Sequence, residues 1–212
     1  MSCRKTLASQ RTGGDYRVQP GTRHYVDPKN KRKMVRIGPG AYFVTSGDDE
    51  VLAAVLGSCI ALCVRDPKTG IGGMNHFMLP VESAGKARPD NVDLRYGAHA
   101  MEALINEVLA TGCPRSRMEV KVFGGADLLG ASQPVGTLNA QFAMDYLDRE
   151  RMPVAAQDIG GKEPRRVEFS PASGRARVKL IKDDAMHEIR DVEERFQRQL
   201  RRANADTGVE LF

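Results

Sequence analysis

The chain has no Trp, only 6% aromatic residues and four Cys in 212 residues. It also has no apolar run near the roughly 18–20 residues that cross a bilayer, and its basic N-terminus lacks the apolar stretch of a secretory signal. Those absences point to a soluble protein without membrane insertion. Cys3, Cys59, Cys63 and Cys113 form neither repeated CxxC pairs nor the dense framework of a disulfide-stapled scaffold, so reduced thiols in a cytoplasmic protein are expected. With few aromatics and no zinc-finger or recognition-helix motif, nucleic acid is a poor candidate partner. No cofactor is implied. A metal site on Cys59, Cys63 and His76 would need a fourth ligand that the spacing does not nominate, so none is expected.

What is present is enough apolar sequence, 41%, for one well-buried core. The net charge of +5 is unevenly spread: residues 1–36 hold ten Lys/Arg against Asp15 and Asp27, leaving 22 basic and 25 acidic residues beyond. Gly13-Gly14, Pro20-Gly21 and the run Lys29-Asn30-Lys31-Arg32-Lys33 make residues 1–35 read as a basic flexible arm. Such an arm is either a solvated tail or a docking element for an acidic protein surface.

From Gly38 onward strands and helices alternate. Val51–Leu56 is short and apolar, and Ile60–Val64 reads as a buried strand stopped by Asp66-Pro67-Lys68-Thr69-Gly70, a turn that sets up a hairpin with the segment carrying His76. A helix capped at Asn91 or Asp93 carries Leu94, Ala98, Met101, Leu104, Ile105 and Val108 at helical spacing and ends at Gly112, with His99 on its polar face. Met118–Phe123 reads as a strand running into Gly124-Gly125-Ala126. A second helix is expected over 137–149, then a strand at 154–156, a loop at 158–161, and a hairpin joining Val167/Phe169 to Ala176/Val178/Leu180. A last, charged helix runs through Ile189, Val192, Phe196 and Leu200. The class is α/β: a single layered domain with a buried mixed β-sheet flanked by helices.

The chemistry rests on Cys59, which follows Leu56-Gly57-Ser58, and His76, inside Gly73-Met74-Asn75-His76-Phe77-Met78-Leu79-Pro80. A thiol becomes a nucleophile as its thiolate, and an imidazole is the side chain best matched to take that proton near neutral pH. Backbone N–H groups around Gly57 and Ser58 can hold the oxygen of a tetrahedral intermediate. The pair suits amide or ester hydrolysis. Taken alone, a Cys on an apolar strand is more often structural, and Cys63 and Cys113 fit that plainer reading.

At these residues the sequence resembles the CheD family of chemoreceptor glutamine deamidases. Leu56–Cys63, Arg65-Asp66-Pro67 and Gly73–Pro80 carry the likeness, followed in order by Phe123–Ala126, the segment around Asn139, Asp158–Gly161, Arg165-Arg166-Val167 and Ser173-Gly174. The resemblance covers about 36–182 as the catalytic domain, with 183–212 as a charged C-terminal helix and tail. It implies a fold related to deamidating bacterial toxin domains. It also implies a Cys59/His76 pair that converts glutamines on cytoplasmic helices of chemotaxis receptors to glutamate with release of ammonia, and a CheC-type phosphatase as a partner. Family members carry an upstream Thr that orients the His; Ala53 or Ala54 stands there. Ser58, Thr45, Ser46, Asn75 or a backbone carbonyl are the candidates for orienting His76, with Gly57 and Ser58 for the oxyanion site. Two other readings stay open: a regulatory module that binds a phosphatase or receptor, and a thiol hydrolase of other specificity.

Overall fold

A computed structural model describes residues 20–80, 92–128, 134–182 and 186–206. Its α/β architecture holds two five-stranded mixed sheets, where the sequence pattern was read as one. The first runs in the order β1 (Thr22–Val26), β2 (Lys33–Ile37), β4 (Glu50–Leu56), β9 (Arg165–Ser170), β10 (Arg175–Leu180). The second runs β3 (Tyr42–Thr45), β6 (Gly72–Asn75), β5 (Ile60–Arg65), β7 (Glu119–Gly124), β8 (Val154–Ile159). Each contains one parallel pair, β2/β4 and β7/β8, and is otherwise antiparallel.

Period-two alternation explains how the layers stack. On β5, Ile60, Leu62 and Val64 face α1 (Val92–Ala110) and α2 (Val135–Arg149), together with Phe77, Met101, Leu104, Val108 and Phe142. The intervening Cys59, Ala61 and Cys63 face the other sheet, against Ile37, Leu52, Leu56, Val167 and Phe169. The order is therefore sheet, sheet, helices. Each fully buried Leu, Ile or Phe contributes about 1.5–3 kcal/mol, and Ile60, Leu62, Leu52, Leu56, Phe77 and Phe169 are all of that kind.

A strand buried on both faces is an unbroken apolar run, so periodicity alone did not reveal that β4 and β5 belong to different sheets. The chain crosses between sheets over residues 57–59, and this crossing matters below.

The stretch up to residue 35, expected as an arm, is sheet from Thr22 onward. Met34, Val35 and Ile37 are buried while Lys33 and Arg36 are exposed, with Val35 and Ile37 packed into the inter-sheet core and Met34 on the opposite face against Val51 and Ala53. His24, expected in a mobile segment, packs its ring edge-on to Phe43 with centroids 5.1 Å apart. Residues 1–19 lie outside the described residues, as does the expected cap Asn91. The β5/β6 and β9/β10 hairpins form as read, β8 runs on through Asp158 and Ile159, and α3 (Met186–Asp206) is the charged C-terminal helix. Among the described residues no helix is long and apolar enough to cross a membrane.

Candidate active site

The crossing between sheets places Cys59. Residues paired along a strand spend their N–H and C=O groups on neighbours, whereas a chain leaving one sheet for another has donors to spare. The loop is shaped from its carbonyl side: Cys59 O accepts from Gly125 N and Gly57 O from Ala126 N, both at 2.8 Å. Gly124 is needed for this clasp. Its φ is +112°, and a Cβ there would lie 2.1 Å from Cys59 O. With the carbonyls turned toward 124–126, the N–H groups of Gly57, Ser58 and Cys59 converge on the opposite side.

Those donors meet a carboxylate that sequence reasoning had not singled out. Glu193 of α3 accepts from Gly57 N (2.9 Å) and Cys59 N (3.2 Å) through Oε1, and from Ser58 N (2.9 Å) and Ser58 Oγ (2.7 Å) through Oε2. The side chain is 7% exposed. Gly57 makes room for it, since a Cβ at that position would stand 2.8 Å from Glu193 Oε2.

His76 arrives from the hairpin partner. Ile60 and Phe77 exchange two backbone hydrogen bonds of 2.9 Å, in the same register that pairs Cys63 with Met74. Continuing that register sets Cys59 opposite Met78 and His76 opposite Ala61. Cys59 and His76 are thus diagonal neighbours on one sheet face, about 7–8 Å apart along the backbone.

The backbone of His76 is pinned on both sides, its N–H donating to Ala41 O at 2.9 Å and its O accepting from Gly40 N at 2.7 Å. Nδ1 of the ring lies 3.1 Å from Ile37 O. A carbonyl only accepts, so Nδ1 carries the proton and Nε2 is the free base of the neutral ring. Nε2 is buried and makes no hydrogen bond among the described residues. Of the candidates for orienting His76, the structure presents the backbone carbonyl.

The other candidates are engaged elsewhere. Thr45 donates its hydroxyl to Glu50 and accepts from Gly47 N, and it sits about 13 Å from the His76 end of the β3/β6 pair at 3.3 Å per residue. Asn75 points to the opposite face, its Oδ1 accepting from Leu62 N and its Nδ2 donating to Ala100 O of α1, both at 2.8 Å. Ala53 and Ala54, where the family resemblance places a Thr, lie on β4; Ala54 faces the inter-sheet core and Ala53 the outer face.

Asn139 is a second residue whose role was missed. Fully buried on α2, it donates Nδ2 to Ser58 O at 2.8 Å and accepts from Leu79 N through Oδ1 at 2.9 Å, bridging the loop before Cys59 to the segment after His76. Both Asn139 and Glu193 interrupt an apolar helical stripe with a polar residue, and that was the available signal. A buried polar side chain within such a stripe has a partner to satisfy.

Electrostatics leave the pair neutral in this arrangement. Burial raises the Cys59 thiol well above its ordinary value, and the charge and hydrogen bonding of Glu193 push it further the same way. Burial lowers His76, against the Ile37 carbonyl and the Glu193 charge, which favour its protonated form. Cys59 is 0% and His76 2% exposed.

A family model described as CheD chemotactic sensory transduction matches residues 78–180, beginning just after His76. A protein of Bordetella avium, named probable chemoreceptor glutamine deamidase CheD, is 51% identical over 162 residues, covering 76% of this chain and 71% of that one. The chain belongs to the CheD family. CheD relatives carrying the same name are 47% identical in Caulobacter vibrioides, over 79% of this chain and 88% of theirs, and 45% identical in Cupriavidus pinatubonensis, over 89% and 86%. Among solved structures, a Neisseria meningitidis protein of family model DUF152 aligns with a TM-score of 0.33 at 11% identity, covering 57% of this chain and 52% of that one. The site described above holds a buried thiol, an imidazole whose Nε2 has no partner among the described residues, and three N–H groups that donate to Glu193.

Proposed function

We propose that this chain hydrolyses the side-chain amide of glutamines on cytoplasmic helices of chemotaxis receptors, giving glutamate and ammonia, with Cys59 as nucleophile and His76 as acid and base. The observation that carries the reading is the shared location of three things: Cys59, the unpartnered Nε2 of His76 on the same sheet face, and three converging N–H donors at 57–59. A thiol hydrolase needs these three parts.

His76 Nε2 takes the thiol proton, and Cys59 Sγ bonds to the amide carbon of the substrate glutamine, moving the C=O electron pair onto oxygen. The 57–59 N–H groups hold that oxyanion. His76 returns the proton to nitrogen, the C–N bond breaks and ammonia leaves a thioester. Water, deprotonated at Nε2, then attacks the same carbon, and the S–C bond breaks to restore the thiol and release glutamate. Each turnover adds one negative charge to a receptor helix and creates a carboxylate open to esterification.

The test is peptide mass spectrometry of a purified receptor signalling domain incubated with this protein or with Cys59→Ala, scoring glutamine-to-glutamate conversion and ammonia. Conversion only with intact Cys59 is expected. Backbone cleavage, methanol in place of ammonia, or equal conversion by Cys59→Ala would each reject the reading.

A further inference from the structure

The catalytic pair of the proposed deamidase is sealed, and the seal is chemically specific. Cys59 and His76 are buried, and the cradle between Gly57 and Cys59 is filled by the carboxylate of Glu193. Glu193 comes from more than 130 residues further along the chain, on a helix. Glutamate is also the product of glutamine hydrolysis.

α3 is poorly suited to a purely structural role. Its inward stripe is Ile189, Glu193, Phe196 and Leu200, with a charged residue at the centre of an apolar face. Desolvating a carboxylate is costly, and the four hydrogen bonds it receives from residues 57–59 all come from neutral donors. Arg195, Arg198 and Arg201 on α3 are exposed. Phe196 closes the other side of the seat: a Cβ on Gly40, next to the His76 backbone, would lie 3.0 Å from the Phe196 ring and 3.6 Å from the Tyr96 hydroxyl. The helix thus lays one carboxylate and one aromatic ring over the site. Most of its remaining surface is in water.

We propose that α3 is an intramolecular product mimic: it seats Glu193 in the cradle that receives the substrate glutamine, holds the enzyme closed, and occupies the groove in which a receptor helix docks. This inference rests on the deamidase reading for the identity of the displaced partner. Glutamine and glutamate have the same length and shape, so a receptor helix that replaces α3 places its amide oxygen where a Glu193 oxygen now accepts from Gly57 and Cys59. The same exchange removes from Cys59 the negative charge that opposes thiolate formation. Docking and activation are therefore one event, and receptor helices compete with α3 for the seat.

The experiment reads access to Cys59 without requiring turnover. The full chain, Glu193→Gln, Glu193→Ala and Phe196→Ala are treated with iodoacetamide, and alkylation of Cys59, Cys63 and Cys113 is followed by peptide mapping. The expected result is about a tenfold faster modification of Cys59 in Glu193→Ala and Phe196→Ala, reflecting a larger open fraction, with Cys63 as slow as in the parent chain. Phe196→Ala carries no charge change, so its effect reports opening alone. Glu193→Gln keeps the side-chain shape and an oxygen for Gly57 and Cys59 to donate to, so a seat that takes glutamine should hold it with Cys59 about as slow as in the parent, while Cys63 in every variant guards against loss of fold. The same proteins are assayed on the receptor signalling domain, where Glu193→Ala and Phe196→Ala should lower the apparent KM by a similar factor.

Unchanged Cys59 alkylation in both Glu193→Ala and Phe196→Ala overturns the proposal, whatever the enzyme activity. If Cys59 is released but neither parent nor variant converts a receptor glutamine, the deamidase reading fails and the closing helix stands. If all convert glutamine equally and Cys59 is never released, the closing helix fails and the deamidase stands.

Discussion

The two ends of β5 each hold a carboxylate, and they do so by opposite means. At the end near Ile60, Glu193 is held by backbone N–H groups and one hydroxyl, from a helix distant in sequence and with no cation in the set. At the end near Arg65, Asp66 is gripped bidentately by Arg117 at 2.6 Å on each arm and also accepts from Lys68 N at 2.9 Å. The Asp66 pair ties a turn to the loop before β7 and has no reason to open. The Glu193 cradle is neutral and accepts any suitably placed oxygen, including a carboxylate, an amide or an oxyanion. A fixed ion pair serves the fold. An uncharged set of donors at a sheet crossing is an exchangeable seat, and the proposed nucleophile sits beside it.

The largest test of this contrast compares substitutions at the two ends. Cys59→Ala and His76→Ala are expected to lower turnover by about three orders of magnitude or more, with the fold retained by circular dichroism. Arg117→Ala at the other end should leave kcat within a few-fold. Cys63→Ala refines the comparison: Cys63 shares the face of Cys59 but sits mid-strand, paired with Met74 and Lys121, and burial pushes its thiol up strongly. Its removal should cost stability and spare turnover. Comparable losses from Cys59→Ala and Cys63→Ala would show that position at the strand end is not what matters.

Next in size is Gly124→Ala, which attacks the shape of the crossing. The added Cβ would collide with Cys59 O, and φ is +112°, so the expected cost is about 3–5 kcal/mol. That corresponds to a Tm lower by roughly 10 °C for a chain of this size. A variant with parental Tm and activity would mean the 124–126 clasp does not set the donor cradle. Asn139→Ala is milder for the fold. It leaves Leu79 N and Ser58 O without their buried partner, at about 1–3 kcal/mol each, and frees the Cys59 loop to move relative to His76. A displacement near 1 Å lowers kcat by about a hundredfold, so kcat should fall much more than KM rises. A loss confined to Tm would make Asn139 a packing residue only.

How much of this was legible in the sequence depends on how local each feature is. The β5/β6 hairpin was readable because the Asp66–Gly70 turn and its flanking apolar runs are contiguous, and it was enough to put Cys59 and His76 side by side. The division into two sheets was not, because β4 and β5 are apolar on both faces and show no alternation at the crossing. The basic stretch before residue 35 misled because its charges masked a strand buried on both faces, with Met34, Val35 and Ile37 buried beside exposed Lys33 and Arg36. The orienting partner of His76 is a main-chain carbonyl, and no side-chain pattern encodes it. Asn139 and Glu193 left a faint mark, a polar residue inside an apolar helical stripe, but their partners lie 60–136 residues away, at a separation that spacing cannot reveal.

The smallest expected effect concerns the ionic end of β5 and is read in pH. Hydrogen bonds from Arg117, with help from Lys68 N, hold the Asp66 carboxyl well below the usual carboxylate range, opposed by burial. A carboxylate that binds its proton more weakly in the folded chain than in the unfolded one stabilises the fold above its unfolded pKa of about 3.9. That contribution falls away as pH drops below this value toward the folded one. The Tm difference between the parent chain and Arg117→Ala should therefore be widest above about pH 5 and shrink steadily toward pH 2. A gap of the same size at pH 7 and pH 2 would mean that Arg117 acts through its bulk and not its charge. A parallel series on Glu193→Ala separates the two ends: if its seat is exchangeable, the Tm change it causes comes with released Cys59, whereas Arg117→Ala changes Tm and leaves Cys59 closed.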